Sequence, residues 1–392
     1  MTATRLALDP PRLLTGGQAV AEAMRQVDPD VVPVYPITPQ TPIIEGYAAL
    51  VASGRAHGEL LDVESEHSAL SAAVGAALAG ARTMTATSSQ GLALMAEVVY
   101  IAASLRAPIV MAVGNRALSG PINIHCDHSD SMLVRDAGVI QLFAESAQEA
   151  YDLMVLAPRL AEHPDVLLPV LVCQDGFTIT HSAEPVAPLD DDAVHAFVGA
   201  YRVPEPLLDV AHPTTRGPFA MPDYYFELRH QLAAAQHAAL GVFTELAEEF
   251  AEVSGRRYRA LEPYALDGAE QAVVCLGSTG GTLKDAVDEL RRQGEPVGLV
   301  EVRSFRPFPA DTLRELLGGV RRATVLDRAD SPGGTPPLFA DVAAALAGGG
   351  VELQSVVYGL GGRDIHPEDI RALLVGEKRR AYLGLRGESC PA

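Results

Sequence analysis

The stretch VVPVYPITP, residues 31–39, decides how the fold is read. Val31–Val34 is an apolar run of strand length. The following YPITP, residues 35–39, brackets Ile37 and Thr38 between two prolines. Neither proline can donate to a ladder, and each pushes the residue before it toward extended geometry. A short buried strand ending in a stiff loop fits a parallel α/β sheet, whose ligands lie beyond the carboxyl ends of the strands. Taken alone, a Pro-rich turn linking strand to helix explains the loop more simply.

The alternation continues outward from this stretch. Before it, Thr15 is a candidate cap for a small-residue helix over 18–27. After it come a helix over 42–52 and a strand over 60–64. The period then changes from 2 to 3.6 at Ser65, a candidate N-cap with Glu66 in the first turn, and residues 69–79 are almost all small. Strands are expected over 83–87, 108–113 and 166–173, and helices over 92–105 and 147–162. A long loop at 115–130 shows little periodicity. Strands alternating with helices predict a parallel, doubly wound sheet, assigned to residues 1–184. Residues 185–223 turn to Pro, Asp and Thr and read as an extended surface connection. A long amphipathic helix over 224–254 completes a connecting region, 185–268. A second α/β unit, 269–392, carries strands over 272–276, 297–302, 323–326 and 353–358.

Composition narrows the function. Hydrophobic residues make up 48% of the 392, and no apolar run is long enough to span a bilayer. The first residues, MTATRLALDPPRLL, lack a signal-peptide core, so a cytoplasmic location is expected. A net charge of −20 disfavours nucleic acid, anionic membranes and docking of another acidic protein on this chain. Cys126, Cys173, Cys275 and Cys390 form no CxxC pair, so no local iron–sulfur or zinc motif is present.

Several residues are candidates for chemistry. Glu66 ordinarily would serve the helix dipole. The tightly packing helix behind it instead suggests a carboxyl shut from water, suited to sharing a proton. Glu64 is its rival. Arg116, beyond the strand at 108–113, can hold a carboxylate in a fork, or form a structural ion pair. The run from His125 to Asp130, HCDHSD, tempts a metal reading, but its residues are adjacent and lack ligand spacing, so a hydrogen-bonded loop lining a cleft is the better reading and no metal site is assigned. GSTGG, residues 277–281, could cradle phosphate, but it is not GxGxxG and reads more simply as a tight βα turn.

Taken together, YPITPQTPIIE, VESEHSALSAAVGAALAGARTMTATSSQGLALM, GNRALSGPINIHCDHSD and VCQDGFTITH resemble the α subunit of a thiamine-diphosphate-dependent 2-oxoacid:ferredoxin oxidoreductase. The pyruvate:ferredoxin oxidoreductase (pyruvate synthase) branch is the nearest in pattern. VVCLGSTGGTLKDAVDELRRQGEPVGLVEVRSFRPFP and YGLGGRDIHPEDI resemble the same subunit's transketolase C-terminal-like domain, so the likeness covers roughly residues 15–370. It implies a pyrimidine-binding-like first domain. Glu66 then falls on the glutamate that hydrogen-bonds the cofactor's aminopyrimidine ring. Thr38 and Arg116 fall on the pair that holds the substrate carboxylate. The family reaction oxidatively decarboxylates a 2-oxoacid, passing electrons to Fe–S clusters and ferredoxin and the acyl group to coenzyme A.

The chain contains no GDG followed by asparagine and no cluster-ligating cysteine set. The resemblance therefore implies a half site. A β subunit should supply the diphosphate and Mg domain with a [4Fe-4S] cluster, and γ/δ-type subunits or domains the remaining clusters and coenzyme A contacts. The loop at 115–130 resembles the pyruvate branch, although His125-Cys126 departs from many relatives and bears on substrate choice. 2-Oxoglutarate, branched or aromatic 2-oxoacids, the β subunit of a 2-oxoacid dehydrogenase, and a non-catalytic structural subunit remain as alternatives.

Overall fold

The computed structural model describes residues 8–375 and 381–386, so Cys390 and the first seven residues lie outside it. The first unit is built on a seven-stranded sheet. Its spatial order is Ser304–Arg306, Ile140–Phe143, Val170–Asp175, Ile109–Asn115, Thr83–Thr87, Val31–Val34 and Glu59–Asp62. All neighbours are parallel except the first pair. The chain runs from Val31–Val34 outward to Glu59–Asp62, then crosses back to Thr83–Thr87 on the other side. Its direction of winding thus reverses between Val31–Val34 and Thr83–Thr87, the position where open α/β sheets bind ligands. These two strands share one register pair, Val31 with Thr83. Further along, Pro33 has no N–H to give, and the Thr85 hydroxyl donates to its carbonyl at 2.7 Å.

The helices form where their caps and patterns place them. Thr15 and Gln18 make a reciprocal capping box for Gly16–Val27. Ser65 caps Glu66–Ala79 by accepting from Ser68 N at 3.2 Å, and Gly80 closes that helix at φ 115°. Helix Ala147–Glu162 packs in the core behind the sheet, its face lined by fully buried residues such as Tyr151, Leu153 and Leu156.

The second unit has a five-stranded sheet ordered Glu352–Val357, Arg322–Asp327, Gln271–Cys275, Val297–Val302 and Leu261–Tyr264. Its first four strands are parallel and the last is antiparallel. The α/β class with two wound units is as expected. Four details differ. The connection is not wholly extended: Ala183–Val186 pairs with Arg12–Thr15, and Asp190 caps a helix Asp191–Val198. The long helix begins earlier, at Pro222, and runs to Ser254. Ile140–Phe143 is a strand inside a stretch with no element expected. Ser304–Arg306 leaves the second unit's sequence to pair with it.

The two units meet over buried charge. Asp175, at the end of Val170–Asp175, lies 2.7 Å from His128 Nε2 and 2.7 Å from Arg328 Nη1, and accepts from Ser278 Oγ at 2.5 Å. Burial acts to raise its pKa, but the His128 and Arg328 charges and its hydrogen bonds outweigh this and hold it below the usual range. Nearby, Lys284 bridges Glu145 and Glu301, and Arg303 pairs with Glu149. Glu301 is pushed up to about 9, by burial first and then by the charges of Glu149 and Glu145.

Removing the cation from Asp175 should therefore loosen the junction. Arg328→Met is expected to cost about 3–5 kcal/mol, the usual penalty for stranding one partner of a buried pair, measured by chemical denaturation. Because the native carboxyl titrates below its unfolded value of about 4, the stabilisation it gives the native chain is present above that pH. It is expected to be lost progressively as pH falls through the depressed native value, measured as a declining unfolding midpoint in acid.

Candidate active site at the strand crossover

Thr38, Glu66 and Arg116 all stand at carboxyl ends of sheet strands around the point where winding reverses. The loop after Val31–Val34 is extended through Ile37 and turns at Thr38–Gln40, with Gln40 Nε2 donating to Tyr35 O at 2.9 Å. Thr38 is exposed, and its hydroxyl has no partner among the described residues. Arg116 is 7% exposed. It donates from Nη1 to Thr38 O at 3.1 Å and from Nε to Asn123 O at 2.9 Å. Its Nη2 pairs with no described residue. The fold thus joins Thr38 to Arg116 directly, although through the threonine's carbonyl.

Glu66 stands apart from that pair, across the turn at residues 88–91. It is 7% exposed and its carboxylate is bonded to no described residue. Its rival Glu64 differs from it: Glu64 is exposed, and its carboxylate takes a hydrogen bond from Ser68 Oγ at 2.5 Å. Gly91 explains how Glu66 fits. A methyl group at Gly91 would lie 2.8 Å from Glu66 Cγ and 2.4 Å from Thr87 Oγ1. The hydroxyls of Thr87 and Ser88 are buried and unpartnered. Gly114 completes the floor, where an added methyl would stand 3.1 Å from Ser88 Oγ and 3.4 Å from Gln40 N.

Asp130, which the sequence reading did not single out, lies beneath. Its carboxylate is fully buried and accepts four N–H bonds, from Ser89 N, Arg116 N, Asn115 Nδ2 and Ser131 N, at 2.7–3.0 Å. Burial pushes its pKa up to about 6 against the opposing pull of those bonds. It was hidden in the HCDHSD run, where nothing local marks which strand ends a loop carboxylate will reach.

The rest of that run is held at the junction of the two units. Cys126, His128 and Asp175 do converge, with candidate ligand atoms within 4.8 Å of one another. Arg328 already supplies the positive charge there. Cys126 is 1% exposed at the junction of the units, and burial raises its thiol pKa. His125 alone faces out, its ring 5.0 Å from that of Phe177. Asn123 Nδ2 donates to Gly361 O and Gly361 N to Asp127, pinning the loop to the second unit. GSTGG cradles a carboxylate of the first unit, not a phosphate: an added methyl at Gly277, φ 66°, would lie 2.9 Å from Asp175 Oδ1.

An unpaired carboxylate and an arginine beyond the strand ends of a parallel sheet stand where open α/β sheets bind ligands. Comparison with known proteins adds the class. The family described as "Pyruvate flavodoxin/ferredoxin oxidoreductase, thiamine diP-bdg" matches residues 22–248, and "Pyruvate:ferredoxin oxidoreductase core domain II" matches residues 269–370. Pyruvate synthase subunit PorA of Thermotoga maritima is 56% identical over 383 residues, covering 95% of this chain and 97% of that one. The protein of the same name from Methanocaldococcus jannaschii is 46% identical, covering 93% and 94%. A solved 2-oxoglutarate:ferredoxin oxidoreductase from Magnetococcus marinus shares the fold at TM-score 0.73 and 20% identity, over 93% of this chain and 64% of that one. The chain belongs to the pyruvate flavodoxin/ferredoxin oxidoreductase family, with a thiamine diphosphate-binding domain, as a subunit of a multi-subunit enzyme. Among the described residues no helix is long and apolar enough to cross a membrane.

Gly91→Ala should displace the Glu66 carboxylate at an overpacking cost of about 1–3 kcal/mol. In the assembled complex the apparent KM for thiamine diphosphate is expected to rise about tenfold, measured by cofactor titration of activity, and the unfolding midpoint to fall with the overpacking.

Proposed function

We propose that this chain is the α subunit of a complex that oxidatively decarboxylates pyruvate to acetyl-CoA and CO2, with electrons passed to ferredoxin, or runs the reverse reaction. The observation that carries the reading is the near-buried, unpaired Glu66 carboxylate, across the turn at residues 88–91 from the Thr38–Arg116 pair, in a chain 56% identical to a named pyruvate synthase subunit.

Glu66 fits the role of sharing a proton with the ring nitrogen of an aminopyrimidine. Its carboxylate has no protein partner to release, and Gly91 leaves room against it. Thiamine diphosphate, when bound, supplies the nucleophilic carbon and the electron sink. Arg116 Nη2 and the Thr38 hydroxyl, both without a described partner, would receive the substrate carboxylate. Their backbones are already anchored, so little is lost in ordering them. Pyruvate is favoured over bulkier 2-oxoacids by the names of the relatives and by the loop at 115–130.

The chain supplies one wall. A β subunit carrying the diphosphate and Mg site and a [4Fe-4S] cluster would supply the other, with further clusters and coenzyme A contacts on γ/δ-type subunits and ferredoxin as the acceptor. An open apolar face beside Glu66 supports this. Gly75 has nothing within 4 Å of an added methyl, and on the adjoining helix Ser89–Ser104 Leu94, Tyr100 and Ile101 are 42–50% exposed.

Glu66→Gln, reconstituted into the whole complex, is expected to lower kcat at least about 100-fold, read as coenzyme A-dependent viologen reduction. Across a 2-oxoacid panel the native complex should give its highest kcat/KM with pyruvate. Near-native turnover by the variant would overturn the role of Glu66.

A further inference from the structure

We propose that Asp130 is the positioning residue of the site, holding both the arginine that receives the substrate and the turn that seats Glu66. The inference rests on the roles proposed above for Arg116 and Glu66.

Asp130 is 0% exposed and forms no ion pair among the described residues. A buried carboxylate without a counter-charge is costly, and an asparagine would occupy nearly the same volume without the charge. What the charge provides is acceptance on every side. Oδ1 takes Asn115 Nδ2 at 2.9 Å and Ser131 N at 2.7 Å. Oδ2 takes Ser89 N at 2.9 Å and Arg116 N at 3.0 Å. The Oδ2 pair is the informative one, because it joins the ends of two neighbouring strands, Thr83–Thr87 and Ile109–Asn115.

Each of those donors begins a working segment. Ser89 stands at φ 44°, a left-handed conformation that a serine adopts only when its surroundings enforce it. Its hydroxyl is tied to Ala117 O at 2.6 Å. Two residues on, Gly91 makes the space that Glu66 enters. On the other strand, fixing Arg116 N at the sheet edge sets where its guanidinium can reach, namely Thr38 O and Asn123 O. One carboxylate oxygen thus sets the spacing between the two halves of the site.

The test uses Asp130→Asn in the reconstituted complex. An asparagine oxygen can serve two of the four N–H groups, and its NH2 then faces the other two. Its KM for pyruvate is expected to rise about tenfold or more, the scale of a lost charge-assisted hydrogen bond, with a smaller fall in kcat. A purely structural role would not produce the second expected result. Combined with Arg116→Ala, Asp130→Asn should raise the KM for pyruvate no further than Arg116→Ala alone, since Asp130 acts on that KM through Arg116, while the smaller fall in kcat, which runs through the Glu66 turn, persists. Multiplying rises in KM in the double variant, or an unchanged KM in Asp130→Asn, would overturn the proposal. A native KM in Arg116→Ala by itself would instead overturn the assignment of Arg116, and Asp130 with it. Should Asp130→Asn fail to assemble, Asp130→Glu keeps the charge but moves the oxygen that takes Ser89 N and Arg116 N. It should raise KM about threefold, the scale of a weakened hydrogen bond, and an unchanged KM there also overturns the proposal.

Discussion

Everything at this site depends on the reversal of winding between Val31–Val34 and Thr83–Thr87. The two strands share a single register pair, and beyond it Pro33 can offer only a carbonyl. Loops leaving either strand are therefore free to diverge and open a crevice between them. The YPITP loop forms one bank. The turn at residues 88–91 forms the other, with the helix that begins at Glu66 packed behind it. Gly91 lets backbone approach side chain where any Cβ would collide, and Gly114 leaves a close fit against Ser88 Oγ.

Two buried carboxylates maintain this arrangement by opposite physics. Asp130 is surrounded by N–H groups of neutral residues and a backbone amide of Arg116, so desolvation dominates and its pKa rises to about 6. Asp175 meets an imidazole and a guanidinium, and its pKa falls. The first ties strand ends together within one sheet. The second ties one unit to the other, with His128 three residues short of Ser131 in the same stretch of chain. The loop at 115–130 is thus anchored at both ends, and Arg116 sits at its root.

Much of this was legible in the sequence. Apolar runs bounded by prolines and glycines located the parallel strands, and the change of period at Ser65 located the helix that presents Glu66. Glu66 and Arg116 were candidates because each follows a recognisable strand end, whereas Thr38 was singled out only by the family resemblance. What could not be read has a common cause: it depends on partners distant along the chain. Ser304–Arg306 is three residues long and pairs with Ile140–Phe143 across more than 150 residues. Asp175 lies two residues past the strand expected over 166–173, and only the fold brings Arg328 and Ser278 to it. HCDHSD read as a hydrogen-bonded loop, but nothing local showed that Asp130 would take Ser89 N and Arg116 N, beyond two strand ends, or Asp127 the amide of Gly361.

The central claim is that this chain holds half of a thiamine diphosphate site, whose proton-sharing carboxylate is complete and whose diphosphate grip lies elsewhere. Calorimetric titration of thiamine diphosphate with Mg²⁺ into the purified chain, and into the chain assembled with the β-type subunit, tests it most directly. The account predicts no saturable binding to the chain alone and tight binding to the assembly, weakened by Glu66→Gln. Tight, Mg²⁺-dependent binding to the isolated chain would contradict it.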